Sequence, residues 1–188
     1  MTTVYTVGHS TREQAELVAL LHAHGIRALV DVRRFPGSRR YPQFARDALS
    51  RWLPEAGIEY HHEADLGGRR KPDPASPNTA WRNAGFRAYA DHMSTGTFRD
   101  ALGRLVERAA VVPTAVMCAE AVPWRCHRRL IADALVAEGH EVRHILSLER
   151  ADAHALNEFA RRVAGRLVYP GTAERASGRS EQLDLGGD

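Results

Sequence analysis

Residues 3–36 read TVYTVGHSTREQAELVALLHAHGIRALVDVRRFP. The first part, through Gly8, is rich in Val, Tyr and Thr, which suit a pleated strand. Residues 10–25 open like a helix: Ser10 with Glu13 fits a capping box. Leu17, Leu20 and Leu21 recur at helical spacing, and Gly25 stands where a left-handed residue closes a helix. Residues 26–36 then run as a buried strand that stops at Pro36-Gly37. Strand, helix and strand in so short a span are the signature of a parallel βαβ unit.

The rest of the chain continues the alternation. Residues 41–57 predict a helix with Phe44, Leu49, Trp52 and Leu53 on one side, and IEYHHE (58–63) predicts the third strand. Residues 66–80 form a Gly/Pro/Ser-rich loop, long enough to suggest a functional role. Residues 86–110 carry helix, broken near Ser94–Gly96. VVPTAVMC (111–118) is almost wholly apolar and predicts a central strand. Residues 125–139 predict a helix, 140–148 a fifth strand and 151–168 a final helix, before a polar, mobile tail at 171–188. The expected fold class is α/β: one domain over 1–170, with a mostly parallel five-stranded sheet and helices on both faces.

Composition narrows the function. A hydrophobic content of 44% is that of an ordinary globular protein. No stretch approaches the ~18 apolar residues of a membrane span, so no membrane partner is expected. The N-terminus lacks a basic segment followed by an apolar one, which predicts a cytoplasmic protein. In that setting the chain's two cysteines are expected as free thiols or ligands, not as a disulfide. The net charge is only +3, but of 26 basic residues only Lys71 is a lysine. Arginine codons of a GC-rich genome account for such a bias; so does anion recognition, because a guanidinium grips phosphate at two points. Residues 27–71 hold nine arginines and Lys71 against six acidic residues, which adds a little to the second explanation.

In an α/β sheet, ligands bind beyond the carboxyl ends of the strands. Gly8-His9-Ser10-Thr11 follow the first strand, as a tight turn with Gly8 admitting a ligand and Ser10 and Thr11 offering hydroxyls and N–H groups; plain capping by Ser10 is the structural alternative. Asp31 and Arg33 end the second strand, where they form either a structural ion pair or a general acid/base beside an anion grip. Arg34, Ser38, Arg39 and Arg40 follow. His61, His62 and Glu63 end the third strand.

MCAEAVPWRCHRRLI (117–131) follows the fourth strand. It places Cys118 at a strand end, Glu120 after it, and Cys126 at a helix start flanked by Arg125, His127, Arg128 and Arg129. The layout resembles the cysteine-loop-arginine cradle of phosphatases and rhodaneses, but six residues separate Cys118 from Arg125, more than those loops contain. Cys118 is then either a nucleophile or a buried, inert residue. Cys118, Cys126 and His127, with His9, also offer ligands of the kind zinc or iron accepts, although no tight CxxC or HxxxH spacing accompanies them.

Taken together, YTVGHSTR, LVDVRRFPGSRRYPQF, GIEYHHEADLGGRR and VMCAEAVPWRCHRRLIADAL occur in the order seen in the bacterial and archaeal family called domain of unknown function 488. The resemblance runs from Val4 to Ile145. It implies an α/β fold and a site comprising Gly8, His9, Ser10, Thr11, Asp31, Arg33, Ser38, Arg39, Cys118, Glu120, Cys126, His127 and Arg128.

The function expected from these readings is an enzyme, hydrolase or glycosylase-like, acting on an anionic substrate, a nucleotide or nucleic acid. Arg33, Arg39, Arg125 and Arg128 would grip phosphate, and Asp31, Glu120 and His9 would move protons. Tyr41, Trp81 and Trp124 would stack a base, as base-processing repair requires. No motif demands a cofactor, and nothing sets the number of copies. A non-enzymatic nucleic-acid-binding or regulatory module and a thiol or metal site are the alternatives.

Overall fold

The apolar run before Cys118 has no polar face to offer water, and it becomes the middle of the sheet. The computed structural model describes residues 1–37 and 40–171. Its main sheet holds six strands: β1 (Thr3–Gly8), β2 (Ala28–Asp31), β3 (Glu59–His62), β4 (Thr114–Cys118), β5 (Glu141–Ile145) and β6 (Ala151–Ala153). Their spatial order is β3-β2-β4-β1-β5-β6. The first five run parallel, and only β6 runs antiparallel, against β5. The expected five parallel strands are present, joined by one more.

Helices α1 (Gln14–Ala23) and α2 (Arg46–Glu55) cover one face, and α3 (Ala84–Met93), α4 (Gly96–Val111) and α5 (Arg128–Ala137) the other. Alternation along each strand feeds two cores. Leu29, Ala115 and Met117 pack with Leu17, Leu21, Trp52 and Leu53 of α1 and α2. Val30, Val116 and Cys118 pack with Phe98, Leu102, Leu130 and Ile131 on the opposite side. The break near Ser94–Gly96 is where Thr95 caps α4, its hydroxyl accepting from the Phe98 N–H at 3.2 Å.

Local corrections follow from tertiary partners. Helix α1 starts at Gln14 with Glu13 as its cap, paired reciprocally with Glu16, whereas Ser10 takes a left-handed φ of 50°. The stretch expected as a final helix (151–168) is instead β6 and a hairpin of β7 (Arg161–Val163) and β8 (Arg166–Val168). Ala164 and Gly165 turn that hairpin with φ of 47° and 75°, the conformation a two-residue hairpin turn demands.

Helical propensity in 151–168 loses to a buried polar network. Asp133 of α5 is fully buried. It accepts from the Asn157 N–H at 3.0 Å and the Tyr169 hydroxyl at 2.9 Å, and it faces His154 Nε2 at 2.8 Å. A carboxylate only accepts, so His154 carries its proton on Nε2. Its Nδ1 lies 2.9 Å from His144 Nε2, and His144 Nδ1 lies 2.7 Å from the Thr6 hydroxyl, which continues the chain of hydrogen bonds. Such a chain needs residues 154–157 extended beside β5, not coiled. The tail from 172 on lies outside the described residues; Gly171 is tied down, its N–H donating to Thr79 Oγ1.

Candidate functional site

The register brings three strand ends level. Gly8 lies opposite Cys118, and Asp31 lies opposite Met117. Beyond that edge opens a cavity of about 610 Å³, as expected for the carboxyl edge of such a sheet. His9, Ser10, Thr11, Arg33, Glu120, Cys118, Cys126 and His127 all line it. Gly8 and Asp31 lie just beneath. Of the five residues expected to share one cleft, His9, Arg33, Glu120 and Cys126 line this cavity and Asp31 does not.

The floor is spent on itself. Asp31, fully buried, accepts from Arg33 Nε at 2.8 Å, from Arg33 Nη2, from the Arg33 N–H at 3.1 Å and from the Tyr60 hydroxyl at 2.9 Å. Burial first, and the Asp31 charge next, raise the Tyr60 pKa well above the usual phenol range, so that hydroxyl stays a donor. Arg33 gives its remaining N–H groups to the Phe44 carbonyl at 2.7 Å and to His9 Nε2 at 3.2 Å. His9 donates from Nδ1 to the Ser10 carbonyl at 3.0 Å and stacks on Phe44 at 4.4 Å. Desolvation, aided by Arg33, lowers its pKa from 6.5 to about 4. It is thus a neutral imidazole whose one lone pair faces a guanidinium.

The first turn is occupied as well. The His9 N–H donates to the Cys118 carbonyl at 3.0 Å and the Ser10 N–H to the Ala119 carbonyl at 2.9 Å. These two amides are therefore not available to a phosphate. Gly8 is needed for a different close approach: a Cβ there would lie 1.8 Å from the Glu120 carbonyl oxygen and 2.9 Å from Arg128 Nη1. Thr11, exposed, still presents its hydroxyl to the cavity.

The junction between β4 and α5 folds back through a 3-10 turn at Pro123–Arg125, and α5 begins at Arg128 with His127 as its cap. Cys126 is extended ahead of the cap, not within the first helical turn. Arg128, only 1% exposed, turns inward. It donates to Cys118 Sγ at 2.7 Å, to the Glu120 carbonyl and to the Ala121 carbonyl at 2.8 Å, and its Nε–H has no partner. Burial lowers its pKa to about 10. Arg128 is a clamp on the 119–121 loop, not the expected phosphate grip. Arg125 is exposed on the 3-10 turn and does not line the cavity.

His127, half-buried, packs against Tyr89, with ring centroids 5.0 Å apart. It donates from Nε2 to the Val32 carbonyl at 3.2 Å, and desolvation lowers its pKa to about 4. Its Nδ1 lies 3.6 Å from Cys126 Sγ. The sulfurs of Cys118 and Cys126 lie against each other, with Cα atoms 7.5 Å apart. The return of the loop through Pro123–Arg125 sets residue 126 beside residue 118. Among the described residues no three acidic, histidine or cysteine side chains are arranged to hold a metal ion.

The rim is different. Arg34, Arg40 and Arg69 line the cavity mouth and are exposed. None is paired with a carboxylate among the described residues. Arg34 lies over the Phe35 ring and Arg40 over the Tyr41 ring. Glu120 is exposed, and no hydrogen bond or ion pair holds its carboxylate among the described residues. Ser10 and Arg69 are two of the three non-glycine residues with positive φ among the described residues, and both line this cavity.

Ser38 and Arg39 lie outside the described residues. Of the three aromatics expected to stack a base, only Tyr41 lines the cavity. Trp81 packs against Phe86 and Tyr169 under Arg129. Trp124 lines a separate cavity of about 290 Å³ with Arg129 and His154. Phe35, Gly68 and Arg69 went unnoticed in the sequence as site residues. For Gly68 and Arg69 the signal was the long 66–80 loop: a Cβ on Gly68 would sit 3.0 Å from His127 Nδ1, so that loop packs directly onto the cap of α5.

No helix among the described residues is long and apolar enough to cross a membrane. Comparison with curated proteins and with solved structures finds no match. A family model does match, over residues 13–135. That segment carries Asp31, Arg33, Cys118, Glu120 and Cys126–Arg128, while Gly8–Thr11 precede it. With most of its length and most of its site covered by that model, the chain belongs to the family described as Domain of unknown function DUF488.

Proposed function

We propose that the cavity receives a phosphate-bearing substrate with a flat ring, a nucleotide or a nucleotide unit of a nucleic acid, and that the protein is an enzyme acting on it. The observation that carries this reading is the imbalance at the rim. Three exposed guanidinium groups without carboxylate partners among the described residues, Arg34, Arg40 and Arg69, share the cavity with Glu120, whose carboxylate is likewise unpaired among them. Guanidinium pairs favour phosphate, because their planar fork matches its oxygens. Phe35, 64% exposed, and Tyr41 supply the flat surfaces on which a base stacks.

Glu120 is the group left to move a proton or orient water. Asp31 and His9 have their acceptor sites engaged and position Arg33. A positioned carboxylate is worth roughly 10²–10⁴-fold in rate. The test is calorimetric binding of a nucleoside monophosphate, the matching nucleoside and inorganic phosphate, with turnover followed by chromatography. The nucleotide should bind tightest, and Glu120→Gln should bind it but not convert it. Equal binding of all three would remove the reading. Tight binding of single-stranded DNA that weakens steeply with salt, with no conversion and no effect of Glu120→Gln, would favour a non-enzymatic nucleic-acid module instead.

A further inference from the structure

Arg128 raises a charge question that the anion site does not answer. It is 1% exposed, and its partners are two backbone carbonyls and the sulfur of Cys118. No carboxylate is among them. Glu120 acts on it only through space, from an exposed position. An unpaired buried cation is strongly unfavourable, and the one neighbouring atom able to become an anion is Cys118 Sγ, 2.7 Å away.

The second sulfur has its own partner. His127 has its Nε2 proton on the Val32 carbonyl, so Nδ1 is a bare acceptor 3.6 Å from Cys126 Sγ. Both cysteines line the 610 Å³ cavity. A small molecule in that cavity therefore has a route to the two sulfurs, although each residue is 5% exposed or less.

We propose that Cys118 and Cys126 form a reversible dithiol–disulfide couple, opened by small-molecule thiols that enter through the cavity, with Arg128 as counter-ion of the Cys118 thiolate. A thiolate RS⁻ attacks Cys126 Sγ. The Sγ–Sγ bond breaks, and its electron pair leaves on Cys118, beside Arg128. A second RS⁻ attacks the small-molecule sulfur of the mixed disulfide, forming RSSR and releasing the Cys126 thiolate. Two RSH are oxidised to RSSR and the protein disulfide is reduced. Of the two protons, one ends on Cys126, hydrogen-bonded to His127 Nδ1, and the other goes to solvent, because Cys118 stays ionised. The reduced form thus gains an ion pair that the oxidised form lacks. That bias makes the disulfide easy to reduce, as in other couples whose thiolate is stabilised. The inference is independent of the nucleotide reading.

The test equilibrates the full chain with mixtures of reduced and oxidised glutathione, traps thiols by alkylation and counts them by mass. Wild-type protein should pass between zero and two trapped thiols without denaturant. Arg128→Met should need a [GSH]²/[GSSG] quotient at least tenfold higher to open, about 30 mV, while Arg128→Lys should lie between. A second measurement does not depend on an Arg128 variant folding. Reduced wild-type protein should show thiolate absorbance near 240 nm at neutral pH, lost in Cys118→Ser and kept in Cys126→Ser. Two thiols trapped at every glutathione ratio would overturn the couple. So would a disulfide that opens only in denaturant, or a reduced protein whose thiolate absorbance appears only near the ordinary thiol pKa.

Discussion

The floor and the rim of the cavity are both rich in arginine, and they behave in opposite ways. On the floor, Arg128 is buried and the Arg33 side chain is only 10% exposed, and both give nearly every N–H to the protein itself. Arg34, Arg40 and Arg69 on the rim are exposed and without carboxylate partners among the described residues. An arginine at a strand end is thus not in itself an anion site. What decides is whether a neighbour has already claimed the guanidinium. Floor changes should therefore register as stability, and rim changes as binding.

The largest effect expected is at Asp31. Asp31→Asn leaves Arg33 without its counter-charge, and breaking a buried pair costs about 3–5 kcal/mol. Urea unfolding should show that loss; a variant within 1 kcal/mol of wild type would mean that the floor is not locked.

Acid should loosen this floor and the His144 network beside β5. His9, His127 and His144 have pKa values lowered to about 4 by burial. Each is neutral when folded but binds a proton near pH 6.5 when unfolded. Their stability is therefore intact above pH 6.5 and is lost as the pH falls toward 4. Each pKa unit corresponds to about 1.4 kcal/mol, so the free energy of unfolding should drop by several kcal/mol in sum over that window. A flat profile between pH 7 and 4.5 would contradict the three neutral imidazoles.

Gly8→Ala should come next. Its Cβ meets the Glu120 carbonyl at 1.8 Å, so the 119–121 loop must shift, and overpacking of this kind costs about 1–3 kcal/mol. Smallest in stability, and opposite in sign, is Arg69→Gly. Arg69 has a φ of 58°, a conformation that costs a side chain about 1–2 kcal/mol. Glycine should raise stability by about 1 kcal/mol, yet lower nucleotide affinity roughly tenfold by removing a charge-assisted contact. Thermal unfolding and calorimetry on one preparation would show both. An affinity unchanged by Arg69→Gly would take that side chain out of the site.

The parallel sheet and its carboxyl edge were legible because β4 is apolar throughout and because Leu17, Leu20 and Leu21 keep helical spacing. The cleft residues were legible for the same reason, since each follows a strand. The division of labour among them was not. Arg128 and Arg33 look alike in the sequence to Arg34 and Arg69, and only burial separates them. Residues 151–168 misled because Ala, Glu and Leu suit a helix, while the partner that overrides them, Asp133, lies elsewhere in the chain. Trp81 and Trp124 misled because stacking potential says nothing about which cavity a ring faces.

The order β3-β2-β4-β1-β5-β6 also dictates a sequence of assembly. β1 and β2 are joined by a single helix but are never neighbours; β4 lies between them. During synthesis the N-terminal half therefore emerges with two unsatisfied strand edges and waits for residues 114–118 to close both. Contacts so distant along the chain slow folding, and open edges invite association in the meantime. The cavity inherits that dependence: Gly8, Asp31 and Cys118 meet only when the last of the three strands slots in, so a nascent chain ending before β4 has no site at all.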